Sequence, residues 1–196
     1  MNQKLFKRLE IFGGAVVFAM ASLLHFIYDL SGRSVLGALF GAVNESVWEH
    51  LKIFALAYMA WAIIELLWAR PFLGAFVWAK ALGLYALCLG IAGFFYLYTP
   101  LVGKPIFVVD LISALFFSFS AHYISYRVTL MKENHGQNFF VGVMMLLLAL
   151  VMIICFTYYP PKTPLFKDPV TGLYGIPSYE TVIPTGYTSL SYHIFM

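Results

Sequence analysis

Residues 138–160 read NFFVGVMMLLLALVMIICFTYYP, and this stretch decides the fold class. It holds no charged side chain from Asn138 to Pro160. A helix that crosses the hydrocarbon core of a bilayer needs about 20 mostly apolar residues. A helix on the surface of a soluble domain would instead carry a polar face. The rest of the chain agrees: of 196 residues, 62% are hydrophobic and only 11% charged, with a mean hydropathy of +0.84. Soluble domains run at about 25% charged and about 45–50% apolar. One small core cannot bury such an excess, so lipid is the expected solvent. The formal charge of +3 is scattered, which excludes the clustered basic face of a nucleic-acid binder. Cys88 and Cys155 both lie in apolar runs, so neither a disulfide framework nor a zinc knuckle is expected.

Working outward, four more stretches have the length and apolarity of a span. The expected set is 11–30, 51–69, 76–99, 106–127 and 138–160. The fold expected is an all-α integral membrane protein. It would be a bundle of about five transmembrane helices in one domain, 1–160, followed by a tail, 161–196. Lys4, Lys7 and Arg8 precede the first stretch, and Ala19-Met20-Ala21 resembles a signal-peptide cleavage site. The apolar run continues through Ile27, however, so a retained helix is expected. An N-terminus inside puts Lys4, Lys7, Arg8, Arg70, Arg127 and Lys132 on the cytoplasmic side, and Arg33, Lys104, Lys162 and Lys167 outside. The basic triplet beside the first span weighs most. A multi-pass protein of the cell membrane with an extracytoplasmic tail is therefore expected. Glu65 and Lys80, near the cytoplasmic ends of their helices, can pair or snorkel to the interface.

Two segments depart from this plan. Residues 31–50 are too long for a tight turn, and the apolar part from Val35 to Val43 is too short to span. A re-entrant or interfacial segment is expected there. After Pro160, the tail is dense in Pro, Gly and Tyr, too punctuated for a long helix.

Ionisable residues at membrane depth are costly and mark candidate sites. His25 and Asp29 share a face, with Tyr28 beside them. Asn44-Glu45-Ser46-Val47-Trp48-Glu49-His50-Leu51-Lys52 puts Glu45, Glu49 and Lys52 on one stripe and His50 on the next. Asp110 and Ser113 share a face on the fourth span. With the N-terminus inside, all of these fall near the outer end. Carboxylates and imidazoles at one depth in low dielectric need a compensating proton, cation or basic partner. A divalent metal (zinc, manganese or iron) is one compensator. His25, Glu45, Glu49, His50 and Asp110 are the candidate ligands, and Glu49 and His50 the candidate catalytic groups. Tyr28, Asp29, Asn44, Lys52 and Ser113 would support them. Lys52 and Arg33 are alternative compensators through plain salt bridges. Glu45 and Glu49 also suit the first turns of a helix capped by Asn44. Trp48 reads as an interfacial anchor. His122 lies about 18 Å below Asp110 along the helix and is excluded from this site. His193 carries no assigned role.

Three blocks carry a resemblance. They are His25-Phe26-Ile27-Tyr28 with Ser31-Gly32, Val43-Asn44-Glu45-Ser46-Val47-Trp48-Glu49-His50-Leu51-Lys52, and a tail pattern. The tail pattern runs through Pro161, Pro164-Leu165-Phe166-Lys167-Asp168-Pro169, Thr171-Gly172 and Tyr174-Gly175-Ile176. Together they resemble a family of small bacterial multi-pass membrane proteins of unknown function. Ala42 stands where that family usually has Pro, so the start of the helix is expected to differ. The residues after Ile176 look like an extension. The resemblance implies an intact membrane protein and brings no established activity.

Three functions fit. The first is a metal-dependent hydrolase or transferase acting on a lipid-type substrate at the outer leaflet. The second is a non-catalytic binding or transport subunit working with other membrane subunits, since no two-fold repeat of a self-sufficient carrier is visible. The third is a structural component of a membrane complex, with the carboxylates as caps.

Overall fold

Asn2 starts the first helix, its side chain accepting a hydrogen bond from the Leu5 amide at 3.1 Å. Helix α1 runs Gln3–His25, well ahead of the expected start at residue 11. It presents Phe6, Leu9, Glu10, Gly13, Gly14, Val17 and Ala21 to the interior, the spacing of one helical face. The computed structural model describes residues 2–131 and 135–177, without the side chains of 135–137. Lys132, His193 and the extension from residue 178 onward lie outside the described residues, as does the His135 side chain.

Helix α1 breaks at Phe26, and two short helices follow, α2 (Ile27–Leu30) and α3 (Val35–Phe40). Gly32 and Arg33 turn the chain between them with φ of 67° and 59°. Six residues of α3 reach about 9 Å, far short of a bilayer core. Val35 and Leu36 face outward, while Ala38 packs with Tyr28 and Val43 in a small separate core. Helix α4 (Val47–Ala69) is capped by Ser46, not Asn44: the Ser46 hydroxyl accepts from the Glu49 amide at 3.4 Å. Arg70 ends it in the left-handed region, and Pro71 prevents continuation. Helices α5 (Leu73–Val102), α6 (Phe107–Thr129) and α7 (His135–Tyr158) follow.

The described residues form no named strand, and five of the helices are long and apolar enough to cross a membrane. The expected all-α architecture is thus observed. Helix α1 packs on α4 and α6, α5 on α4, α6 and α7, and α7 lies outermost against α5. Small residues allow these approaches. A Cβ on Gly142 would come within 2.8 Å of the Trp78 Cα, and one on Gly13 would overlap the His122 ring. Large apolar side chains such as Leu89, Leu97, Phe116 and Phe140 point outward, as lipid-facing positions do.

Among its described residues, 161–177, the tail is non-helical apart from a 3-10 turn, Pro164–Phe166. Asp168 organises its loop, accepting from the Val170 amide at 3.0 Å and the Thr171 hydroxyl at 2.6 Å. An isolated bridge joins Lys167 to Tyr174. Trp48 does not stand alone as an anchor: its ring packs on Phe156 and Phe166 at 5.3 and 5.0 Å, clamping the tail to α4 and α7.

Candidate functional site

His25 is the last residue of α1 and His50 lies in the first turn of α4, so the antiparallel pairing of these helices brings the two imidazoles together. Their rings stack at 5.2 Å with an interplanar angle of 28°. Glu45, just ahead of the Ser46 cap, lies between them. Its Oε1 is 3.4 Å from His25 Nε2 and its Oε2 is 3.6 Å from His50 Nε2. One ligand atom from each of the three residues lies within 4.8 Å of the others. All three side chains are partly open, at 22% exposure for His25 and 39% for Glu45 and His50.

The tautomer of His50 follows from its second contact. Its Nδ1 is 2.9 Å from the Ser46 carbonyl, and a carbonyl oxygen only accepts. Nδ1 therefore carries the proton of the neutral ring, and Nε2 aims a lone pair at the Glu45 carboxylate. Lone pair against carboxylate repels unless a proton or a cation sits between them. A backbone carbonyl that fixes the far nitrogen is also how metal-binding histidines are oriented.

The other expected members border the triad, Glu49 and Asp110 within electrostatic reach of His50 and Asp29 of His25, and each has closer partners of its own. Glu49 is buried, 2.6 Å from Lys52 Nζ, and accepts from the Val43 amide at 2.9 Å. Lys52 also donates to the Ala38 carbonyl at 2.8 Å and to Thr157 Oγ1 at 3.4 Å. This pair ties α4 to the α3 segment and α7, and it engages the Glu49 carboxylate. Asp110 accepts from the Tyr98 hydroxyl at 2.6 Å, and that hydroxyl in turn accepts from the Ile106 amide at 2.9 Å. It therefore fastens the α5–α6 turn, and Ser113 donates to its backbone carbonyl at 2.8 Å. Asp29 pairs with Arg33 at 3.1 Å, and Tyr28 is buried beside them. Asn44 accepts from the Ser46 amide and donates to the Gly175 carbonyl, each at 2.9 Å, docking the tail beside the triad.

The sequence reading missed a second polar cluster at the opposite end. Glu10, Glu65, Lys80 and His122 are all buried there. Lys80 Nζ lies 3.0 Å from Glu10 Oε2 and also contacts Glu65 Oε2. Ser125 donates to Glu10 Oε1 at 2.7 Å. The pairing of Glu65 with Lys80 was one of two readings open from sequence. Glu10 was overlooked because a span starting at residue 11 leaves it among the flanking charges. The buried face of α1, with Glu10 three residues before Gly13, was the available signal.

Comparison with curated proteins gives no match, and neither does comparison with solved structures. A family model does match, and it covers residues 1–176, which include the triad, the buried cluster and the docked part of the tail. The chain belongs to this family, a family of unknown function (DUF6512).

Proposed function

We propose that this protein binds a divalent metal at His25, Glu45 and His50 and uses it in hydrolysis or group transfer on a lipid-type substrate. The observation that carries the reading is the Glu45 carboxylate set between two imidazole Nε2 atoms at 3.4 and 3.6 Å. Zinc–nitrogen and zinc–carboxylate bonds of about 2.0–2.1 Å in a tetrahedron put neighbouring ligand atoms about 3.4 Å apart. Two imidazoles and one carboxylate leave a position for water, the arrangement of catalytic zinc, and the same donors also suit iron(II). A metal held there lowers the pKa of its water and polarises an ester or phosphoryl oxygen. The charge bias at the N-terminus supports an outer-half position for the triad. Exposed Leu30, Val35 and Leu36 lie on the segment that joins its histidines, which suits a substrate with acyl chains.

Metal analysis of the purified protein after loading with zinc tests the reading. About one zinc per chain is expected in wild type and none in Glu45→Gln or His50→Ala. Wild type without stoichiometric metal would remove the proposal. Chelator-sensitive turnover of a lipid ester then separates an enzyme from a non-catalytic metal-binding subunit, which would hold the metal and turn nothing over.

A further inference from the structure

The second cluster has a charge problem that its geometry resolves in one way. Glu10 comes from α1, Tyr58 and Glu65 from α4, Lys80 from α5, and His122 and Ser125 from α6. The Trp61 indole of α4 also faces Glu65 and the His122 ring. Lys80 balances one of the two carboxylates. With both ionised, the site would carry a net negative charge at a place shut off from solvent: Glu10, Glu65, Lys80 and His122 are each 3% exposed or less. Towards the near end of the bundle, Phe6 closes the site, its ring packed on Phe76 and Tyr126 at 6.3 and 6.0 Å. A lone charge in such surroundings is the costly state, and one proton removes it.

Hydrogen bonding indicates where that proton resides. Glu10 receives Ser125 Oγ on one oxygen and Lys80 on the other, which stabilises its ionised form. Neither oxygen of Glu65 makes a well-aligned hydrogen bond among the described residues, although Glu10, Lys80 and Trp61 crowd its carboxylate. Nor does His122 Nε2, although the ring is 1% exposed. The His122 Nδ1 lies 2.8 Å from the Ser118 carbonyl, so Nδ1 is the donor and Nε2 presents a bare lone pair. One ligand atom from each of Glu10, Glu65 and His122 falls within 4.8 Å of the others, a gap that a small rotation or one water bridges. A metal ion is a poorer occupant, because the Lys80 ammonium already stands against both carboxylates.

We propose that Glu65 and His122 hold one exchangeable proton between them, with Lys80 and Glu10 as the fixed ion pair that makes this proton necessary. The cluster is then a proton-binding site inside the bundle, of the kind a proton-coupled carrier or a proton relay requires. It is independent of metal at the opposite end. Glu10 and Glu65 lie about four turns along α1 and α4 from His25 and His50. Between the two sites Val17, Ala21 and Ala57 are buried and Phe18 packs on Phe54.

Infrared difference spectroscopy on the full chain in lipid nanodiscs tests the proposal, with pH stepped from neutral to alkaline. Wild type should show the C=O stretch of a protonated carboxylic acid at neutral pH, lost on alkalisation, and isotope-labelled glutamate should shift it. Glu65→Gln should lack this band. Glu10→Gln should lack it too, because Lys80 then balances an ionised Glu65. His122→Phe should keep the band and move its titration midpoint. A wild type with no titrating glutamic-acid band overturns the proposal without recourse to any variant. So does a band that survives in Glu65→Gln or in Glu10→Gln, each checked for wild-type elution and near-ultraviolet circular dichroism.

Discussion

Glu45 and Glu49 are four residues apart in the chain, and their surroundings assign them opposite work. Glu45 stands outside α4, ahead of the Ser46 cap, partly open and flanked by two imidazoles. Glu49 stands inside the helix at 2% exposure, held by Lys52 and the Val43 amide. Breaking a buried ion pair by removing one partner strands the other charge and costs about 3–5 kcal/mol. Glu49→Gln should therefore lower the unfolding free energy by about that amount while leaving the metal stoichiometry of the folded fraction unchanged. Glu45→Gln should lose the metal and cost little stability in metal-free protein, where an exposed pair is worth about 0–1 kcal/mol. Metal analysis and denaturant titration of both variants in detergent check the contrast. The residue types of this site were legible in the sequence, because charged and imidazole side chains beside apolar runs are conspicuous. Their partition was not. Spacing puts Glu45 and Glu49 on one stripe only if the helix already includes both, and the cap at Ser46 starts it after Glu45.

At the scale of the elements, the antiparallel register of α1 and α4 builds both polar sites. The Asn2 amide donates to the Ala69 carbonyl at 3.2 Å at one end, and His25 stacks on His50 at the other. Gly13 sets how closely α1 lies against its neighbours, since a Cβ there would overlap the His122 ring and crowd Trp61 Nε1. Trp61 in turn donates to the Leu9 carbonyl at 3.2 Å. Overpacking a close-fitted core costs about 1–3 kcal/mol. Gly13→Ala should lower the thermal midpoint correspondingly, whereas Gly93→Ala, where nothing lies within 4 Å, should leave it unchanged or slightly raised. Thermal unfolding of the two variants in the same detergent makes the comparison. The long helices were legible as apolar runs because hydropathy sums over a whole turn and tolerates local error. Their ends were not, because caps decide them. Asn2 extends α1 past its basic residues to include Glu10, and Phe26 stops it short of Asp29.

Across the whole molecule, five helices long enough to span carry a polar group of residues at each end and an apolar middle between. The loop charges lead to an expectation for the ends: a reporter in the 128–137 loop should read cytoplasmic and one fused after Met196 extracytoplasmic. Both on one side would remove the outer placement of the triad. Metal at that triad would then link function to the stability of the entire bundle. A ligand bound only by the folded state stabilises it by mass action, by about 2.7 kcal/mol at a hundredfold excess over Kd. Zinc should accordingly raise the thermal midpoint of wild type, and chelator should reverse the shift. The ligand atoms must be unprotonated to bind, with neutral imidazoles and an ionised carboxylate. Protons therefore compete with zinc as pH falls. The zinc-dependent shift should be full in alkaline buffer and vanish in acid. In Glu45→Gln, zinc and chelator should have no effect at any pH. Glu49→Gln should melt lower throughout yet keep the wild-type zinc shift, because its carboxylate serves Lys52 rather than the metal. Equal zinc shifts in wild type and Glu45→Gln would move the metal to another place in the molecule.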